Sequence, residues 1–327
     1  MPDPIRYCVT VDTEEEWDWQ SGYPTSPTSV RNIAELPKFQ AVCETAGAAV
    51  VYFANHAVMS DPTATAIIRD LAKRPRTEIG LHIHPWNTPP VAPAPTVSAR
   101  DSFLHNLPWE EQAAKLTSTL NAFRAAGLAP TSFRGGRYST SKQIQDFLRD
   151  RGIWVDCSVL PGNTWADDGA PDYRHRNLAP VRLPPRHSGD KPVWELPLTF
   201  AATRRPFGFW KSVLGAADTK IGRTIRATGV LDRFGIVSRA WLNFENPLGN
   251  RILKFLAALR TARPPFVSFT LHSSSLMPGG SPYARTPADV ERIHRTAVKV
   301  LSTVASWPDF APATATEIAT HLEAAHR

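Results

Sequence analysis

An α/β fold with parallel strands inside and helices outside is predicted by three observations. Short apolar runs alternate with helical repeats, several repeats carry start and stop signals, and reactive side chains gather where strand-like runs end. Strand-like segments cover Tyr7 to Val11, Ala49 to Ala54, Glu78 to Ile83, Thr131 to Phe133, Ile153 to Cys157 and Phe266 to Leu271, all rich in β-branched and aromatic residues. Between them, Arg31 to Ala46, Thr63 to Lys73, Trp109 to Ala126, Thr140 to Arg151 and Ala288 to Ala305 repeat apolar residues at three and four, with Pro37 set to begin or kink the first. Pro108 with Glu110 and Glu111 opens one helix and Gly127 closes it. The alternation fits a barrel or an open doubly wound sheet. The barrel is favoured because polar residues follow the first, third, fourth, fifth and last strand-like runs, as when an active site is assembled from separate strand ends. The stretch from about 160 to 265, rich in Pro, Arg and Trp, breaks the rhythm and reads as an irregular insertion within a single domain spanning 1–327.

Composition narrows the classes. With 327 residues and 42% hydrophobic side chains the chain can bury a large core. Its apolar runs, such as Ala48 to Ala54, fall short of the ~20 residues a membrane-spanning helix needs, so no transmembrane segment is expected. Met1 to Tyr7 carries Asp3 and Arg6 and leads straight into a strand without a signal-like segment, so a cytoplasmic location is expected. Cys8, Cys43 and Cys157 are too few and too scattered for a disulfide framework and read as reduced packing residues. The net charge of +7 is compatible with an anionic partner such as a phosphorylated sugar carrier, a membrane surface or nucleic acid, but the bland reading, a basic surface without such a partner, is the better one. The basic residues are spread out, with loose groupings near Arg204 and Arg223 and no run interleaved with aromatics, so no nucleic-acid partner is expected.

Five polar clusters carry the chemistry. In Val9-Thr10-Val11-Asp12-Thr13-Glu14-Glu15-Glu16-Trp17 a strand ends in carboxylates, and the two-residue spacing puts Asp12 and Glu14 on one face, where two acids can divide the tasks of base and metal ligand. An arbitrary acid cluster is more often a solvated loop. In Glu78-Ile79-Gly80-Leu81-His82-Ile83-His84-Pro85-Trp86 the i, i+2 spacing puts two imidazoles within reach of one cation, although the same pattern also arises by chance. Phe133-Arg134-Gly135-Gly136-Arg137-Tyr138 pairs small residues, which let a backbone approach a ligand, with an arginine able to reach a carboxylate. Val155-Asp156-Cys157-Ser158 and Phe269-Thr270-Leu271-His272-Ser273 each end an apolar run in a polar group, and either alone could be a cap or a turn.

In chain order these clusters resemble the five sequence blocks of the polysaccharide deacetylase family, the NodB-like carbohydrate esterases, over about residues 7 to 275. The resemblance implies a distorted barrel of parallel strands and outer helices. It places the general base on Asp12, the metal ligands on Glu14, His82 and His84, and the group positioning the base on Arg134. The backbone amide near Tyr138 would hold the oxyanion, His272 would be the general acid, and Asp156 would tune it. Thr13 stands where the commonest first block has a second aspartate, so the ligand moves to Glu14, as in the family's Asp-x-Asp and Asp-x-Glu variants. The two histidines lie two apart rather than four, and His-x-His-Pro-Trp resembles a subgroup of the family. Both variants keep one carboxylate and two imidazoles.

The implied activity is metal-dependent removal of N-acetyl groups from an amino sugar, a glycan or a carrier-linked sugar. The implied cofactor is one divalent ion, zinc first, with cobalt, nickel and manganese as alternatives. Trp17, Trp19, Trp86 and Tyr138 are candidates for a sugar-binding platform or for packing. Two rival functions remain at this level. One is an allantoinase-like amidohydrolase using the same site on a small linear or cyclic amide. The other is a non-catalytic carbohydrate-binding protein, which the intact Asp12 and His272 argue against.

Overall fold

The computed structural model describes residues 3–26, 29–162, 168–187, 189–217, 227–246 and 251–326, so the basic grouping expected near Arg223 lies outside the described residues. The main sheet starts with β1 (Ile5–Thr13), whose residues are all buried except half-buried Arg6. A strand buried on both faces needs apolar or β-branched residues at nearly every position, and Ile-Arg-Tyr-Cys-Val-Thr-Val supplies them. β3 (Val50–Ala54) is buried throughout for the same reason. β4 (Thr77–Ile83), β6 (Ser132–Gly135), β7 (Val155–Asp156) and β12 (Phe266–His272) fall where strand-like runs are expected.

The sheet runs in the order β12, β1, β3, β4, β6, β7, then β9 (Val193–Glu195) and β8 (Val181–Leu183), with β13 (Phe310–Pro312) also paired to the start of β1. All neighbours are parallel except β8 with β9. The sheet curls into the expected distorted barrel of parallel strands with flanking helices. Its gap is crossed at the C-terminal end by backbone hydrogen bonds from the region that breaks the sequence rhythm. Leu196 and Leu198 N–H bond the carbonyls of Asp156 and Val159, Leu242 N–H bonds Thr199 O, and Thr270 N–H bonds Leu242 O. That region also holds the small antiparallel pair β10 (Phe200–Ala202) and β11 (Arg239–Trp241). The other short pair is β2 (Tyr23–Pro24) with β5 (Thr96–Val97).

The helices cover the sheet where the three-and-four periodicity places them. α1 (Leu36–Thr45) follows a 3-10 turn at Arg31–Glu35, with Pro37 in its first turn, where a missing N–H costs nothing. α2 (His56–Ser60), α3 (Pro62–Leu71), α4 (Trp109–Ala125) and α5 (Lys142–Arg149) follow. Asp61 and Ser141 accept from the third residue of α3 and α5, and Gly127 takes φ +72° just past α4. α6 (Phe207–Ala217), α7 (Ala227–Arg233) and α8 (Arg251–Ala262) lie in the irregular region, where the sequence has poor periodicity. α9 (Pro287–Ala305) begins with a capping box between Thr286 and Asp289, and α10 (Ala315–His326) ends the chain's helices. Among the described residues, no helix is long and apolar enough to cross a membrane.

The core lies between the sheet and these helices. Phe269 of β12 stacks on Phe244 at 5.5 Å and meets Tyr7 edge-on at 6.4 Å, which welds β12 to β1 and to the crossing segment. Phe269→Ala is expected to cost about 3–5 kcal/mol of unfolding free energy, the range for emptying a packed aromatic site. Chemical denaturation of the variant and parent would measure the loss.

Candidate active site

Parallel pairing brings the reactive strand ends together. Asp12 and His272 hold matched register positions on β1 and β12, and His82 and Arg134 hold matched positions on β4 and β6. Arg134 runs through the barrel interior almost fully buried. Its Nη1 donates to Asp12 Oδ1 at 2.6 Å, its Nη2 to Thr10 Oγ1 at 3.0 Å and its Nε to Cys157 O at 3.1 Å. Burial works against the guanidinium charge, yet Asp12 raises its pKa above the usual arginine value. With Oδ1 taken, Asp12 Oδ2 faces His272, whose Nε2 is 3.9 Å away.

Beside this pair, Glu14, His82 and His84 converge. Glu14 is held through its backbone by Ser273 Oγ, which accepts its N–H at 3.0 Å, and by Asn32 Nδ2, which donates to its carbonyl at 2.9 Å. Its Oε2 lies 3.1 Å from His84 Nε2 and 3.5 Å from His82 Nε2, and the two Nε2 atoms are 3.1 Å apart. His82 Nδ1 must donate to Arg134 O at 2.7 Å, because a carbonyl can only accept, and this turns Nε2 toward Glu14 and His84. His84 Nδ1 is 2.7 Å from the fully buried Glu15 carboxylate, which Asn55 Nδ2 also bonds. A carbonyl behind one imidazole and a carboxylate behind the other is the backing that metal-ligating histidines use to orient Nε2.

The donor set fits a cation. Two imidazole nitrogens and a carboxylate oxygen crowd one point, and Glu14 Oε1 is buried with no hydrogen-bond partner. A buried carboxylate oxygen left unpartnered is costly unless something positive approaches it. Glu14, His82 and His84 form the one such group of three among the described residues, and they would hold one divalent ion. Burial opposes the Glu14 charge, but His84, His272 and hydrogen bonds from His82 and His84 hold the carboxyl well below the usual carboxylate range. Burial likewise opposes a charged His84, and Glu15 with Glu14 outweighs it, raising that pKa to about 10. Gly136 makes room for the group: a Cβ there would sit 2.6 Å from His84 Cδ2 and 2.5 Å from Ile83 O.

One expected contact is corrected. Asp156 does not touch His272. Its carboxylate accepts from Thr140 Oγ1 at 2.6 Å, Gln145 Nε2 at 2.8 Å and Ser158 N–H at 2.8 Å, which fixes the turn whose Cys157 carbonyl anchors Arg134. The carboxylate at His272 is Glu245, fully buried, with Oε1 and Oε2 each 3.1 Å from Nδ1 and Oε1 also accepting the His272 N–H. Asn243 Nδ2 and Ser275 Oγ hold Glu245 in turn. Sequence reading missed it because it lies in the stretch without rhythm, although Ala240-Trp241-Leu242-Asn243-Phe244-Glu245 is a short apolar run ending in an acid, like the others. Burial alone would lower the His272 pKa. Glu245 first, then Glu14 and Asp12, raise it to about 10, so the imidazolium persists through neutral pH.

The aromatics divide. Trp86 is 1% exposed and stacks on His84 at 4.1 Å, so it is a packing residue rather than part of an open platform. The Tyr138 ring is buried against Trp241, and its carbonyl accepts from Tyr173 Oη at 2.7 Å. Its backbone, like that of Arg137, is left-handed, with φ +62° and +52°. Trp17 and Trp19 are half-buried and stacked at 5.3 Å. Trp17 meets His84 edge-on, and Trp19 meets His272 and Tyr283.

No protein-family model and no curated protein matches this chain. Solved structures share its fold. One is a protein assigned as a polysaccharide deacetylase from Mycobacterium smegmatis, with a TM-score of 0.58 and 15% identity, covering 100% of this chain and 93% of that one. Another is PuuE allantoinase, with a TM-score of 0.52 and 12% identity over 98% of this chain and 90% of that one. A third is 4-alpha-glucanotransferase from Thermococcus litoralis, with a TM-score of 0.51 and 11% identity over 97% of this chain but 40% of that one. At these identities the likeness is one of fold.

Two outcomes follow from the site geometry. The purified chain should bind about one equivalent of divalent cation, and His82→Ala combined with His84→Ala should abolish this by elemental analysis. Retained metal in the double variant would remove the cluster from consideration. Glu245→Gln deletes the charge that contributes most to raising the His272 pKa, so the imidazolium should lose its proton at lower pH. Titration of the His272 ring signals by NMR should show the shift, and an unmoved pKa would refute the pairing.

Proposed function

We propose that this chain is a metal-dependent hydrolase that removes N-acetyl groups from an amino sugar, either free or within a glycan or carrier-linked precursor. The observation carrying this reading is the placement of a carboxylate and an imidazolium, Asp12 and His272, on adjacent strand ends beside three convergent metal-ligand side chains. Glu14, His82 and His84 would hold the ion, with zinc the best match to two nitrogens and one carboxylate oxygen and cobalt, nickel or manganese as substitutes. When bound, such an ion supplies Lewis-acid polarisation of a carbonyl and acidity to a nearby water.

The chain's own residues account for the proton movements. Asp12 Oδ2 takes a proton from the attacking water while Oδ1 stays bonded to Arg134, which fixes the carboxylate's orientation. The water oxygen bonds the acetamide carbon. The Tyr138 backbone amide is assigned to the carbonyl oxygen as it gains charge. Cleavage of the carbon–nitrogen bond leaves an amine, to which His272 Nε2 gives its proton while Glu245 holds Nδ1. The products are acetate and the free amino sugar. Stacked Trp17 and Trp19 beside Tyr283 provide an apolar wall next to both histidines on which a sugar ring can rest.

The direct test is acetate release from a panel of N-acetylated sugars, nucleotide sugars and glycans, with and without chelator. Turnover of a cyclic or linear ureide in place of every acetylated sugar would overturn the substrate class. Among variants, Asp12→Asn keeps the side-chain size but loses the proton acceptor, and its rate should fall by roughly 10²- to 10⁴-fold with metal content preserved. Glu14→Gln should lose metal first and recover part of its rate in excess cation. An Asp12→Asn protein without metal beside a Glu14→Gln protein with full metal and rate would reverse the two roles. Circular dichroism of each variant separates these effects from loss of fold.

A further inference from the structure

We infer that the unit built from β10, α6, α7 and β11 is a docking surface for an anionic lipid bilayer. Among the described residues six large hydrophobic side chains are exposed, and four of them, Phe209, Val230, Phe234 and Ile236, fall in this unit. Phe209 is 60% and Phe234 73% exposed, and neither belongs to the buried core, although Phe209 meets Trp210 edge-on at 5.2 Å. The unit has its own small interior, where Ala202, Leu214 and Val237 are buried with Trp210 and Leu231 packed against them. The inward set is therefore complete, and the exposed residues are surplus to it. Phe234, the residue after α7, bonds its N–H to Val230 O at 3.1 Å and so continues the helical spacing of four, and Ile236 follows two residues later.

Charge selects the occupant. Among the described residues from 201 to 244 there are five Lys and Arg, Arg204, Arg205, Lys211, Arg233 and Arg239, against one acid, Asp232. Arg204, Arg205, Arg233 and Arg239 are exposed, and Asp232 is paired with Arg251. Aromatic and aliphatic side chains that reach solvent beside arginines match the boundary of an anionic bilayer, where apolar tips enter the acyl region and cations meet the headgroups. A second copy of the same face would bring arginines against arginines. A nucleic acid would meet the cations but leave Val230 and Ile236 without apolar contact. Four residues beyond the end of β11 lies Glu245, so the docked face adjoins the segment that holds His272. The inference does not depend on which reaction the site performs.

The test is co-sedimentation of the full chain with vesicles of phosphatidylcholine alone or mixed with phosphatidylglycerol. Binding is expected with the anionic vesicles and should weaken as salt rises. Phe209→Ser with Phe234→Ser should reduce partitioning by about tenfold or more, from the lost burial of two phenyl rings. Arg204→Ser with Arg205→Ser should reduce it on the order of tenfold and remove the preference for phosphatidylglycerol. Thermal unfolding of the variants should match the parent, since none of the four side chains is buried. Three results would overturn the proposal: no sedimentation with anionic vesicles at low salt, unchanged binding in the Phe and Arg variants, or a self-association or RNA binding abolished by these substitutions without any vesicle binding.

Discussion

The buried Arg134 is the constraint on which the rest of the site depends. A guanidinium inside a barrel must find acceptors for its donors, because an uncompensated buried charge costs several kcal/mol. Arg134 finds Asp12, Thr10 and the Cys157 carbonyl, and Thr10 Oγ1 passes the connection on to Phe269 O of β12. Four separated stretches of chain are thereby tied at one point. The same residue's carbonyl accepts from His82 Nδ1, so one position sets both the direction of the Asp12 carboxylate and the orientation of the His82 ring. Gly135 beside it cannot carry a side chain, since a Cβ would lie 1.8 Å from Ser139 O.

Three carboxylates at the end of β1 show how environment divides like residues among tasks. Asp12 is committed to Arg134 through one oxygen and faces His272 with the other. Glu14 points at two imidazole nitrogens and keeps an unpartnered oxygen. Glu15, fully buried, spends both oxygens on His84 and Asn55. Burial of this many acids is sustained because each meets a cationic or donating group, and the price appears as strongly displaced proton affinities at Glu14, His84 and His272.

The irregular region is a working part of the site. Its segments around Leu196 to Thr199 and Leu242 to Phe244 cross the gap in the sheet, and that crossing delivers Glu245 to His272. A carboxylate from the irregular region, Glu245, orients His272 in the way Asp156 was expected to. Asp156 fails in that task for a simple reason: it lies on β7, across the barrel from β12, and its oxygens are consumed by Thr140, Gln145 and Ser158.

The alternation of apolar runs and helical repeats was enough to read the main parallel strands and five helices, because periodicity at two and 3.6 residues is a local property of the chain. Pairs at i, i+2 were likewise legible, and Asp12 with Glu14 and His82 with His84 do converge, since a strand projects alternate residues to one side. Local pattern says nothing of what stands across a barrel. That Glu245 rather than Asp156 reaches His272, that Glu15 backs His84, and that Trp86 is covered by Trp17 and Tyr23 instead of facing a ligand are matters of contact between residues tens of positions apart. Those contacts are chosen by strand order and by the packing of an aperiodic segment, and both exist only once the chain has closed on itself.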